Sequence, residues 1–257
     1  MLGKHLTLEN PVFESYIGDA ASQQLPGLGT VGAIHVDTLA LSWICMGGIL
    51  LLAASVKPAL VKDGPGGAGQ AIAEGVYSFV KDLAQGQIGK DYRPFFPLIA
   101  GIFLFVLAGN LIGIGPWAAC EYIFPGWPHL GHGAHVEPWE IASPTTDFNV
   151  TFGLAMISLV VYLGAGFFKH GAAYAKELAF NPVEWLDLII RPSTLALRLL
   201  LVITADEITR MVALKLVPFI IAPVGVMAFE MFIALIQAFV FALLTGIYIG
   251  MAVADHH

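Results

Sequence analysis

From Phe95 to Trp117 the chain reads FFPLIAGIFLFVLAGNLIGIGPW, with no acidic or basic residue in the whole run. A segment of about twenty such residues spans the ~30 Å hydrocarbon core of a bilayer as a helix, because only a helix satisfies its own backbone polar groups there. Comparable runs occur at residues 38–56, 148–168, 182–217 and 219–253. The chain is 57% hydrophobic and 12% charged, with a mean hydropathy of +0.78. A soluble domain carries about 25% charged residues. The reading is an all-α polytopic membrane protein, one helical bundle over residues 1–257, with five membrane helices. The net charge of −7 argues against a nucleic-acid partner.

The segment 66–88 contains QAIAEGVYSFVKDLAQGQI, in which Ile72, Val76, Phe79, Val80 and Leu83 fall at helical spacing. That stripe predicts an amphipathic helix at the membrane surface. DGPGGAG precedes it and breaks the chain. Residues 1–37 form an N-terminal segment with no apolar core before a small-residue site, so no cleaved signal peptide is expected. Residues 118–147 form a long connection. The runs at 182–217 and 219–253 reach roughly 50 Å as helices, so they must tilt strongly or break. No internal repeat is visible, which disfavours a typical secondary transporter.

Basic residues set the orientation. Lys57, Lys62, Lys81, Lys90 and Arg93 follow the first span, and Lys169 and Lys176 follow the third. The connection 116–147 has no Lys or Arg but holds Glu121, Glu137, Glu140 and Asp147. The expectation is a cytoplasmic surface helix, an outer N-terminus and a cytoplasmic C-terminus. Lys215 runs against it.

Polar residues inside the spans carry the functional signal. Glu184, Asp187, Arg191, Thr194 and Arg198 are spaced 3, 4, 3 and 4 apart, which puts them on one helix face. An arginine at the centre of a membrane helix costs roughly 2.5–3.5 kcal/mol on insertion scales, and Arg198 lies between leucines. Asp206 and Glu207 approach from the other side. Glu207 is nine residues from Arg198, about 180° round the helix, so the two are not a simple ion pair. Glu230 and Gln237 share a face of the last span, continued by Thr245 and Tyr248. A Glu207–Glu230 pair would raise the pKa of one member and could pass protons near neutral pH. Two polar half-paths thus flank a charge that does not deprotonate.

Other signals are weaker. His129, His132 and His135 have metal-like spacing, but on a glycine-rich loop, and no metal site is expected. No span holds a histidine for haem ligation, and no GxxxxGK[ST] loop is present. Cys45 and Cys120 fall on different segments and predict no disulfide. No cofactor is implied.

The motifs RPSTLALRL, SPTTDFNVT, GNLIGIGPW and IQAFVFALLTGIYIG resemble, in order and spacing, those of subunit a of F-type ATP synthases. ADE and the ending DHH look like the cyanobacterial and chloroplast members. The resemblance implies a non-catalytic stator subunit with two offset half-channels that load and unload carboxylates of a rotating c-ring. On it, Arg198 is the essential arginine separating the paths. Glu207, Glu230 and Gln237 line or approach the outer one, and Glu184 and Asp187 the cytoplasmic one. Asp206, Asn110, Asp147, Asn149, Thr194 and Tyr248 are secondary candidates. Implied partners are the c-ring, the peripheral-stalk subunit b, the rest of the synthase and the lipid bilayer of a bacterial inner membrane or thylakoid. The transported ion is H⁺ or Na⁺. Leu201 and Val202 replace the family's usual glycine and asparagine. The alternatives are a self-contained ion channel or transporter, which would conduct alone, and a structural subunit of a respiratory complex, which would tolerate loss of Arg198.

Overall fold

The structure, a computed structural model, describes residues 7–8, 34–61, 66–115, 129–130, 137–138, 143–171, 174, 182–216 and 221–254. The described residues form six long helices: α1 (Val36–Val56), α2 (Ala68–Ile88), α3 (Phe96–Gly113), α4 (Phe148–His170), α5 (Pro182–Leu216) and α6 (Ile221–Val253). All but α2 are long and apolar enough to cross a membrane. Two antiparallel ladders of two residues each complete the regular structure: β1 (Thr7–Leu8) with β2 (Ile34–His35), and β3 (His129–Leu130) with β4 (Glu137–Pro138). The protein is thus an all-α bundle with five candidate spans and one amphipathic helix. Of the three loop histidines, His129 lies in β3, whereas His132 and His135 lie outside the described residues, as does Cys120.

Local chemistry sets the helix ends. The Gly66–Gly67 pair opens α2, and Gly89 closes it at φ +79°, a conformation that strains residues with a Cβ. The first turn of α3 holds Pro97, where a missing N–H costs nothing. Asp147 caps α4, its carboxylate accepting the Asn149 N–H at 2.8 Å. Gly171, at φ +57°, ends α4. The long helices α5 (35 residues) and α6 (33 residues) are continuous, α5 even through Pro192, which settles the choice between breaking and tilting in favour of unbroken helices.

The bundle centres on α6, which packs against α2, α3, α4 and α5. Its buried face carries Ala234, Ala238, Phe241, Ala242 and Ile249. Small residues there let neighbouring backbones approach, the means by which membrane helices associate where no hydrophobic drive operates between them. The amphipathic stripe of α2 turns toward the bundle: Val80 and Leu83 are buried with Ile99, Phe103 and Phe241, and Phe79 contacts the rings of Phe103 and Phe239, each at 5.7 Å. Ile72 stays exposed. The last carbonyl turn of α2 lands on α6 at Gly250, where a Cβ would stand 2.2 Å from the Gln87 carbonyl oxygen. Helix α1 is the outlier, packing mainly on α3 and leaving Trp43, Ile44, Leu50, Leu51 and Leu52 exposed.

The bundle has two chemically distinct ends. One, where α3 begins and α4 ends, carries Lys90, Arg93 and Lys169, the last paired with Asp91 at 3.4 Å. Asp147, Asp206 and Glu230 belong to the other. These are called the basic and acidic ends below.

Candidate functional site: an exposed arginine between two polar clusters

At the acidic end, a turn locks the start of α4 to the end of α3. Residues Pro144–Thr146 form one turn of 3₁₀ helix. The Thr145 hydroxyl donates to Asn110 Oδ1 at 2.5 Å, and the Ser143 hydroxyl donates to the Gly109 carbonyl at 2.9 Å. Gly113 permits the approach, since a Cβ there would fall 2.6 Å from the Cβ of Ser143. Asn110 is thereby held rigid with its Nδ2 buried and without a hydrogen-bond partner among the described residues.

That amide borders a cleft of about 20 Å³, enough for a water molecule or two. Asn110, Gly113, Ile114 and Ser143 line one side, Ile203 and Asp206 of α5 another, and Glu230 and Ala234 of α6 a third. Glu230 is buried. Two carboxyl groups in so small a space can share a proton through water, with the amide as a hydrogen-bonding neighbour. The structure therefore brings together Glu230, Asp206 and Asn110. Glu207 follows Asp206 on α5, about 100° further round the helix, and its side chain lies outside the described residues.

From the cleft a buried polar line runs along α6. Gln237 is buried two turns from Glu230, and Thr245 two turns further on. Thr245 and Ser158 of α4 share a hydrogen bond at 3.1 Å, with Thr245 also donating to the Phe241 carbonyl at 3.0 Å. Tyr248, half-buried, continues the line to a second cluster toward the basic end. There Arg191 pairs with Asp187 at 2.5 Å, and its guanidinium lies 5.0 Å from the Tyr162 ring centroid and 5.4 Å from that of Tyr248. Glu184 begins the same face of α5, its side chain outside the described residues.

Arg198 stands between the clusters, seven residues from Arg191 and eight from Asp206, or about 10 and 12 Å along the helix. It faces outward, as do Thr194, Leu197 and Leu201, while Leu195, Leu199 and Ile203 turn into the bundle. No hydrogen bond or ion pair joins Arg198 to another described residue. The replacement at Leu201 falls on the same outer face, 61% exposed, and that at Val202 is partly buried.

Two secondary candidates have other work. Asp147 is a helix cap, and Asn149 beside it is exposed. Sequence reading did not single out Tyr162, Ser143, Thr145 or Ser158. Thr145 lies inside the SPTTDFNVT motif, the one signal that could have pointed to it. Tyr162 and Ser158 sit within an apolar run and have no sequence signal beyond being polar there.

Comparison with known proteins gives the family. The profile of the ATP synthase A chain family matches residues 39–250. The chain belongs to that family. Over 267 aligned positions it is 34% identical to "ATP synthase subunit a, chloroplastic" of Stigeoclonium helveticum, covering all of both chains. With its five apolar helices, this ATP synthase A-chain family member is an integral membrane protein.

Proposed function

We propose that this chain is the stationary ion-translocating subunit of a rotary F-type ATP synthase, and that it has no catalytic step of its own. One observation carries the reading: an outward-facing arginine, unpaired among the described residues, halfway along a membrane helix between two polar clusters at opposite ends of the bundle.

The cleft of Asn110, Asp206 and Glu230, continued by Gln237 and joined by Glu207, the residue after Asp206, serves as the outer half-path. The Asp187 and Glu184 face, with Thr194 and Tyr248, serves as the inner one. The orientation is that implied by the basic residues, with the basic end cytoplasmic, the N-terminus outside and the C-terminus inside, in a thylakoid or bacterial inner membrane. Between the two paths α5 presents Arg198, while α6 presents Thr245, a hydroxyl already engaged with Ser158 and the Phe241 carbonyl and not a titratable group. The missing link is a carboxylate on a rotor, a c-ring turning against the exposed face of α5, while a peripheral stalk holds this subunit still. An ion loads onto that carboxylate from one path, is carried round and leaves by the other.

Arg198 suits the boundary for physical reasons. A guanidinium keeps its charge at any attainable pH, so a proton cannot hop through it. Its planar fork pairs bidentately with an ionised carboxylate, favouring the unloaded rotor site at this point and at no other. Lysine meets neither condition fully, because in a desolvated site its pKa falls and it offers no fork.

The test is Arg198→Ala and Arg198→Lys in the intact complex, reconstituted into vesicles with assembly checked separately. ATP-driven pumping should vanish in both, and passive ion flux should rise in the alanine variant, where the two paths communicate through the rotor site. A fully assembled Arg198→Ala complex that pumps near the wild-type rate refutes the assignment.

A further inference from the structure

Arg191 touches three helices at once. It belongs to α5, it lies over the ring of Tyr162 from α4 and that of Tyr248 from α6, and it pairs with Asp187 one turn back on its own helix. Its side chain is only 16% exposed. Pairing with Asp187 leaves the group nearly neutral, so it need not reach water to be stable. An arginine that merely snorkelled to the headgroups would have no reason to lie over two rings.

The next residue is Pro192. Proline has no N–H to donate to the carbonyl four residues back, and its ring crowds that carbonyl, so a helix bends most easily there. Helix α5 passes through this soft point unbroken, and Arg198 lies about one and a half turns beyond it. Arg198 has no described side-chain partner to fix its direction. Where it points is therefore set by the rotation of α5 beyond Pro192. Beside the soft point, Arg191 lies over rings from two neighbouring helices.

We propose that Arg191 is a positioning residue: lying over the rings of Tyr162 and Tyr248 beside Pro192, it pins α5 to α4 and α6 and so fixes the direction in which Arg198 meets its partner. The functional half of this statement rests on the reading of Arg198 given above; the structural half does not. Lysine is a partial substitute. It keeps the charge and some attraction to the rings, but it cannot lie flat on a ring while forking to Asp187.

The experiment uses the intact complex with Cys45 and Cys120 replaced by serine, and nitroxide labels at Leu197→Cys on α5 and Val160→Cys on α4, both exposed positions. Pulsed spin-resonance distances are measured on the labelled complexes, and ATP-driven pumping on the same Arg191→Gln and Arg191→Lys variants without the label cysteines, since Leu197 lies on the face assigned to the rotor. Losing two cation–ring contacts shifts the equilibrium between pinned and released α5 by roughly five- to thirty-fold. Arg191→Gln should therefore broaden the distance distribution and depress pumping at normal assembly, with Arg191→Lys recovering part of both. A sharp, unchanged distribution in Arg191→Gln overturns the proposal whatever happens to pumping. Should that variant fail to assemble, Tyr162→Leu and Tyr248→Leu each remove one ring, and unchanged distances in both overturn it equally. An Arg198→Ala complex that pumps normally would refute the functional reading, while leaving the distance result to decide whether Arg191 pins the helix.

Discussion

Gly250 and Gly246 lie one turn apart on α6, and both face the end of α2, yet they should respond oppositely to alanine. A Cβ at Gly250 would come within 2.2 Å of the Gln87 carbonyl oxygen and 3.1 Å of its carbon, both backbone atoms that cannot rotate away. Relief requires α2 to retreat by about 1 Å, loosening Val80 and Leu83 in their shared core; insertions of this kind cost about 1–3 kcal/mol. At Gly246 the nearest atoms are the Cβ and Cγ of Gln87 at 3.4 and 3.5 Å, close to ordinary contact and on a side chain that can yield. Both substitutions gain about 0.8–1 kcal/mol in helix propensity, so that gain cancels in the comparison. What remains is the clash. For a chain of this size the difference amounts to about 2–12 °C in unfolding midpoint, with Gly250→Ala the lower. The assay is thermal unfolding of the purified complex, followed by size-exclusion chromatography of this subunit across a temperature series. Equal midpoints for the two variants would show that the backbone contact between α2 and α6 is not made.

Three further outcomes follow from the site. Thr145→Val leaves Asn110 Oδ1 buried without its donor and should destabilise the subunit by about 1–3 kcal/mol, read as a lower midpoint; an unchanged midpoint refutes the clamp. A double-mutant cycle on Ser158→Ala and Thr245→Ala should give a coupling energy of about 0.6 kcal/mol, typical of hydrogen bonds between membrane helices; zero coupling denies the bond. Cysteines at Glu207 and Glu230 should both react with small thiol reagents added from the outer side, and complete protection of both in an active complex removes them from the path.

The spans were legible because hydrocarbon dictates their length and composition. The helix ends were legible only where punctuation is local. The second span, expected to end near Pro116, is helical as far as Gly113, where Ser143 packs against the glycine. That contact joins residues thirty positions apart, and no periodicity reports it. The same holds for the site. The shared face of Glu230 and Gln237 could be read from spacing, since one helix determines it. Which of Asp206 and Glu207 shares the cleft with Glu230 depends on the rotation of α5 against α6. The contact of Arg191 with both Tyr162 and Tyr248 needs three helices in register, and only the arrangement of the bundle supplies that.

The loose attachment of α1 bears on how the chain enters its membrane. A helix made first must wait in lipid until its neighbours emerge. Helix α1 can wait, being apolar on nearly every side and carrying no charged residue from Thr38 to Val56. Helix α5 cannot: Glu184, Asp187, Arg191, Arg198, Asp206 and Glu207 make a solitary stay in hydrocarbon costly. By the time it emerges α4 is already in place to offer Tyr162, and α6 follows only a few residues behind. The order of helices along the chain therefore doubles as a timetable for insertion, in which the segment least able to stand alone arrives when its hosts are already present or about to appear.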